Sequence, residues 1–192
     1  MNQILLTTNK DPNNFAQPFA ALILAEVVRV DRIAPYLTEK QRQNVINTAT
    51  HYMISIDDYR GFDDVTGWRH AVAHSADLFL QLALNKQITA SQLKQLLEAI
   101  SMQVVAKDAH FYHCGEPKRL ALPTIYIVLT GKLTQHDISQ FFDSIVDPAP
   151  FKDWQSVYNS NLGLAKLHNS RICPESSAVR VRIGNLKSCI HK

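Results

Sequence analysis

Two histidines four residues apart and an aspartate three residues further on, His70, His74 and Asp77 in GWRHAVAHSAD, are the side chains best spaced to do chemistry. At about 100° per residue on a helix with His70 at zero, His74 falls near 40°, Asp77 near 340° and Gln81 near 20°. Four polar groups then share one narrow stripe. Imidazoles at i and i+4 can hold one metal ion and Asp77 can add an oxygen, so a divalent ion such as zinc is the first chemistry to weigh. The competing expectations are a solvent face or a hydrogen-bonded structural network. Exposed stripes usually use Lys, Glu and Gln rather than His, His and Asp. The zinc-peptidase motif HExxH is excluded, because Ala71 stands where its glutamate would be.

Two other segments carry chemistry that could join this stripe. The loop before it, DDYRGFDDVTG, sets Arg60 among Asp57, Asp58, Asp63 and Asp64. It is no EF-hand loop, since Tyr59 and Phe62 occupy the third and sixth positions, and it reads either as a solvated acidic turn or as a loop whose Arg60 reaches back to Asp77. Glu116 and Arg119 in GEPKRLA stand three apart at a helix start, where Glu116 suits the positive end of the dipole. The expectation is one site built from Arg60, His70, His74, Asp77, Glu116 and Arg119. His110, His113 and Cys114 in HFYHCGE are weaker metal candidates, because His113 and Cys114 are adjacent and point apart. No Gly-rich phosphate loop, nucleophile elbow or serine triad is present.

Helices must position these groups. Helical periodicity predicts helices near 14–31, 38–57, 67–84, 89–107, 116–130, 134–145 and 151–168, with Leu93, Leu96, Leu97, Ile100 and Val104 as the clearest stripe. Thr89 with Gln92 reads as a capping box; Thr38, Thr134 with Asp137, and Glu116 with Pro117 open further helices. Only SAVRVRIG, 177–184, alternates like a strand. The class is therefore all-α: about seven antiparallel helices as a right-handed α-α superhelix or HEAT-like array over 1–169, with an irregular basic tail over 170–192.

The chain has 192 residues, 46% of them hydrophobic, enough for one well-filled domain. Its 20 Lys and Arg against 17 Asp and Glu leave the body near neutral once Arg171, Arg180, Arg182, Lys187 and Lys192 of the tail are set aside. Nucleic acid is not expected as a partner. Neither a signal peptide nor a run of ~20 apolar residues is present, so no membrane association is expected. Cys114, Cys173 and Cys189 form no CxxC pair, which suits a reducing, cytoplasmic setting.

DDYRGF (57–62), GWRHAVAHSADL (67–78) and GEPKRLA (115–121), with PFAALILAEVVRVDR (18–32) before them, resemble the bacterial family grouped as domain of unknown function 2785. The resemblance spans roughly residues 15–145. It picks out Arg60, Gly61, Gly67, Trp68, His70, His74, Asp77, Glu116 and Arg119. This sequence departs from the pattern at Phe62, Arg69, Ser75 and Pro117-Lys118, and it resembles a short member whose first helix lacks a packing partner. The resemblance implies an all-helical protein and brings no established activity. Two functions follow as expectations: a binding or scaffold module for a protein or peptide partner, with no cofactor, or an enzyme or metal-binding protein with a polar pocket around His70, His74 and Asp77.

Overall fold

Three helices begin at threonines that close reciprocal capping boxes, each pairing the threonine with the residue three positions on: Thr38 with Gln41, Thr89 with Gln92, and Thr134 with Asp137. The computed structural model describes residues 2–7 and 11–171. In chain order its helices are α1 (Asn2–Leu5), α2 (Ala16–Ile33), α3 (Glu39–Ser55), α4 (Ala71–Ala83), α5 (Ala90–Val104), α6 (Glu116–Leu129) and α7 (Gln135–Val146). A 3-10 turn, Ser156–Asn159, and a last helix over 161–171 follow. The 151–168 helix expected from periodicity is thus shorter and starts later, because its first residues are spent on turns. The expected strand 177–184 and nearly all of the basic tail lie outside the described residues, and the last helix crosses the 169/170 boundary.

Packing follows the apolar stripes. Helices α2, α4 and α6 lie side by side in one row, α3, α5 and α7 in another, and α3–α4 and α5–α6 contacts join the rows. Helix α4 touches both rows. Its Leu78, Phe79 and Leu82 are fully buried, together with Ile46 and Met53 of α3, Leu96 and Ile100 of α5, and Leu120 and Ile127 of α6. Each such side chain contributes about 1.5–3 kcal/mol on burial. None of the helices is long and apolar enough to cross a membrane among the described residues.

Periodicity fails at the start of α4. The helix expected from residue 67 begins at Ala71, because Phe62–Asp63 (β1) and Gly67–Trp68 (β2) pair as a minimal antiparallel hairpin. The Asp63 carboxylate accepts from the Val65 and Thr66 N–H groups and closes the turn, and Gly67 supplies a positive φ of 79°. The hairpin continues into Arg69 N–H to Gly61 O (2.9 Å) and His70 N–H to Arg60 O (3.2 Å). His70 therefore precedes α4 as its N-cap, in the left-handed conformation at φ 55° and ψ 42°.

A buried polar node ties the loops at the other end. Asp31, 1% exposed, accepts from the Tyr36 and Leu37 N–H groups, from Arg42 Nη1 and from Asn85 Nδ2 at 2.8–3.3 Å. Burial alone would raise its pKa, but these donors outweigh it and hold the carboxyl below its usual range.

Candidate functional site

The hairpin and the left-handed turn at His70 swing its imidazole off the α4 face and toward the start of α6. Its Nε2–H donates to the Cys114 carbonyl at 2.9 Å and stands 3.5 Å from Glu116 Oε1. Non-glycine residues enter the left-handed region at a cost of about 1–3 kcal/mol, so the surrounding contacts must hold His70 there. Trp68 packs on the ring at 4.4 Å between centroids.

Glu116 is the buried anchor. At 2% exposure, its Oε2 accepts from the Cys114 N–H at 3.0 Å while Oε1 faces His70. Burial pushes this carboxyl up, yet the bond to His70 and the N–H groups of Glu116 and Cys114 bring it below the ordinary value. Gly115, at φ 93°, makes the turn that folds Cys114 back over the first turn of α6. Gly61 of the hairpin packs against that turn so closely that a Cβ there would sit 2.5 Å from both Cβ and Sγ of Cys114 and 3.2 Å from Glu116 Oε1. Only glycine fits, which gives the RGF segment a packing role.

The expected residues divide. His70 and Glu116 meet, and His70 and His74 face edge-on with centroids 6.1 Å apart. Asp77 pairs with Arg119, bridging α4 and α6 at a partly exposed position. Arg60 does not reach back to Asp77. Its side chain, half exposed, forms a two-point pair with Asp58 in its own loop, and only its backbone carbonyl serves the site. That pair and Asn14 outweigh the desolvation that would raise the Asp58 carboxyl and hold it at about 2. His74 Nδ1 is buried without a close hydrogen-bond partner, and its pKa is lowered by burial first and by His70 second, against the opposing pull of Asp77 and of the Pro18 carbonyl.

Sequence reasoning underweighted Cys114. It does point away from His113, as adjacency requires, and that direction takes it to His70 and Glu116. Among the described residues, His70, Cys114 and Glu116 are the set of three metal-capable side chains whose ligand atoms lie within 4.8 Å of one another. His74 and Asp77, the expected co-ligands of His70, do not complete such a set. His113 is exposed and donates from Nδ1–H to the Phe111 carbonyl, and His110 stacks on Tyr59.

Above this cluster an open cleft of ≈ 800 Å³ is lined by Phe19, Trp68, His70, His74, Cys114 and Arg119, with Lys118 and Leu122 at its edge. A family model described as protein of unknown function (DUF2785) matches residues 4–176. The chain belongs to that family. No curated protein and no solved structure matches it. In this DUF2785 member a separate cavity of ≈ 260 Å³ lies beside Arg69, one of the positions at which the sequence departs from the family pattern. Arg69 is 5% exposed, donates from Nε to the Asn13 carbonyl, and sits over the Phe15 ring at 4.9 Å.

Proposed function

We propose that this chain is a HEAT-like binding module whose cleft between α2, α4 and α6 takes an acidic peptide segment carrying an aromatic or large apolar residue. The carrying observation is the lining of the cleft. Phe19 and Trp68 leave 41% and 48% of their surface open, beside the cationic Lys118 and Arg119 and the two imidazoles. Half-exposed aromatic rings next to the open Lys118 ammonium and the Asp77-paired Arg119 suit a ligand with an apolar anchor and carboxylates, and the volume lies in the range of ordinary ligand sites. The two rows of helices support the HEAT-like part of the reading, since such arrays present concave surfaces to peptides. A cytoplasmic protein or peptide partner goes with it, and nucleic acid and membrane do not.

Fluorescence anisotropy tests the reading with two labelled peptide pools of equal length, each carrying one aromatic residue, one rich in Glu and the other with Lys at the same positions. The acidic pool is expected to bind saturably and to perturb Trp68 emission, and Lys118→Glu with Arg119→Glu is expected to weaken it by about tenfold or more through lost charge complementarity. Equal binding of both pools, or binding untouched by the double variant, removes the proposal.

A further inference from the structure

We infer that His70, Cys114 and Glu116 form a zinc site in the wall of the cleft, a role that stands independently of the peptide reading. Three observations converge on it. The ligand atoms already lie within 4.8 Å of one another, and His70 Nε2 is 3.5 Å from Glu116 Oε1. The edge of a tetrahedral zinc shell between nitrogen and oxygen ligands is about 3.4 Å, given bonds of about 2.0–2.2 Å. That pair is therefore at coordination spacing, and the Cys114 carbonyl that His70 Nε2 now meets at 2.9 Å turns aside to admit the metal.

Local construction is the second observation. Ordinary structural pairs do not need a left-handed histidine, a positive-φ glycine and a Cβ-free contact at once, yet His70, Gly115 and Gly61 supply these at this one point. Together they bring three chain segments, the hairpin, the turn before α6 and the first turn of α6, to a common centre. Strained residues held by their surroundings gather where a site must be preformed.

Charge is the third. A neutral imidazole, a thiolate and a carboxylate sum to −2 and neutralise a divalent zinc, so the filled site places no net charge among buried groups. The mixed nitrogen, sulfur and oxygen donors suit zinc better than magnesium or calcium, which prefer oxygen. Loading releases the Cys114 thiol proton to solvent. The His70 proton moves from Nε2 to Nδ1, and the bond to the Cys114 carbonyl gives way to the metal. Three protein ligands leave a fourth position for water on the cleft side, where His70 and Cys114 both line the cleft.

The test uses the full untagged chain, stripped with chelator, then titrated with zinc alone by calorimetry and with cobalt alone by absorption spectroscopy. One equivalent of each is expected, with a thiolate-to-cobalt charge-transfer band and the strong d–d absorption of a tetrahedral ion. Cys114→Ser is expected to abolish the charge-transfer band, and His70→Asn to weaken zinc binding by at least about tenfold, judged against the smaller losses that outer-shell changes produce. His74→Ala is expected to keep full stoichiometry. Circular dichroism confirms that each variant is folded, and His70→Asn, which keeps a residue tolerant of the left-handed region, carries the test should Cys114→Ser fail to fold. No stoichiometric binding, binding without the charge-transfer band, or loss in His74→Ala with retention in Cys114→Ser would overturn the assignment. Peptide binding measured with chelator present reads the other proposal separately.

Discussion

Asp31 and His70 are both polar centres inside a helical protein, and they are built on opposite principles. Every donor around Asp31 points at it, from two backbone N–H groups, Arg42 and Asn85, and the carboxylate is closed off from solvent. Around His70 the backbone is left-handed, His74 Nδ1 lacks a close partner, and Cys114 is half buried beside an open cleft. A centre whose hydrogen bonds are complete stabilises the fold; one held in strained geometry with capacity left over is suited to a ligand. The contrast supports the proposed cleft at α4 and α6 over the α2–α3 loop.

The largest expected effect tests the closed centre. Asp31→Ala leaves Arg42 buried beside a hole and is expected to cost about 3–5 kcal/mol in urea unfolding. A cost under about 1 kcal/mol would erase the distinction between the two centres. Next comes Gly61→Ala, whose methyl must displace Cys114, with about 1–3 kcal/mol lost to overpacking. Its hydrogen-exchange signature is expected in the hairpin and the first turn of α6.

Acid provides a third measure. The Asp31 and Asp58 carboxyls are both held below the ordinary value, Asp58 at about 2, so each contributes stability that is complete above pH ~4 and is lost as pH falls through the folded value. The urea midpoint is expected to drop between about pH 4 and 2. In Asp58→Asn the accompanying loss of unfolding free energy shrinks by about 1 kcal/mol, a figure kept small because its partner Arg60 is half exposed. An unchanged acid limb would show that the loop pair adds nothing.

Smaller effects belong to the open centre. His74→Leu removes a buried ring nitrogen that lacks a close partner and gives up only the interaction with the Pro18 carbonyl, so stability is expected to change by under about 1 kcal/mol. A loss above about 2 kcal/mol would make His74 a structural group. Asp77→Ala is expected to cost under about 1 kcal/mol, because its Arg119 partner is 43% exposed.

What was legible in the sequence was what neighbouring residues decide. The threonine caps fix the starts of α3, α5 and α7 within three residues of chain, and apolar stripes fix the buried faces. The Asp31 centre escaped notice because Arg42 and Asn85 lie 11 and 54 residues away. The polar cluster was half legible: His70 meets Glu116 and Asp77 meets Arg119, as residue type suggested. Periodicity carried the helix back through His70, where the two-residue hairpin overrode it. Cys114 was discounted because it neighbours His113 at a helix end, and Arg60 found a nearer carboxylate than Asp77, since a partner two residues away requires less ordering of the chain.

The hairpin tip has a consequence for how the molecule could be taken apart. Val65 at its apex is 92% exposed, and the tip of the turn is closed by the Asp63 side chain above one short strand pair. A single protease cut there would sever the chain between α3 and α4 without touching the α2–α4 contact. The two fragments carry complementary halves of the centre, Gly61 on one and His70, Cys114 and Glu116 on the other. With the α2–α4 contact intact, recombining the fragments is expected to restore the cleft, so that its recovery registers the meeting of the halves.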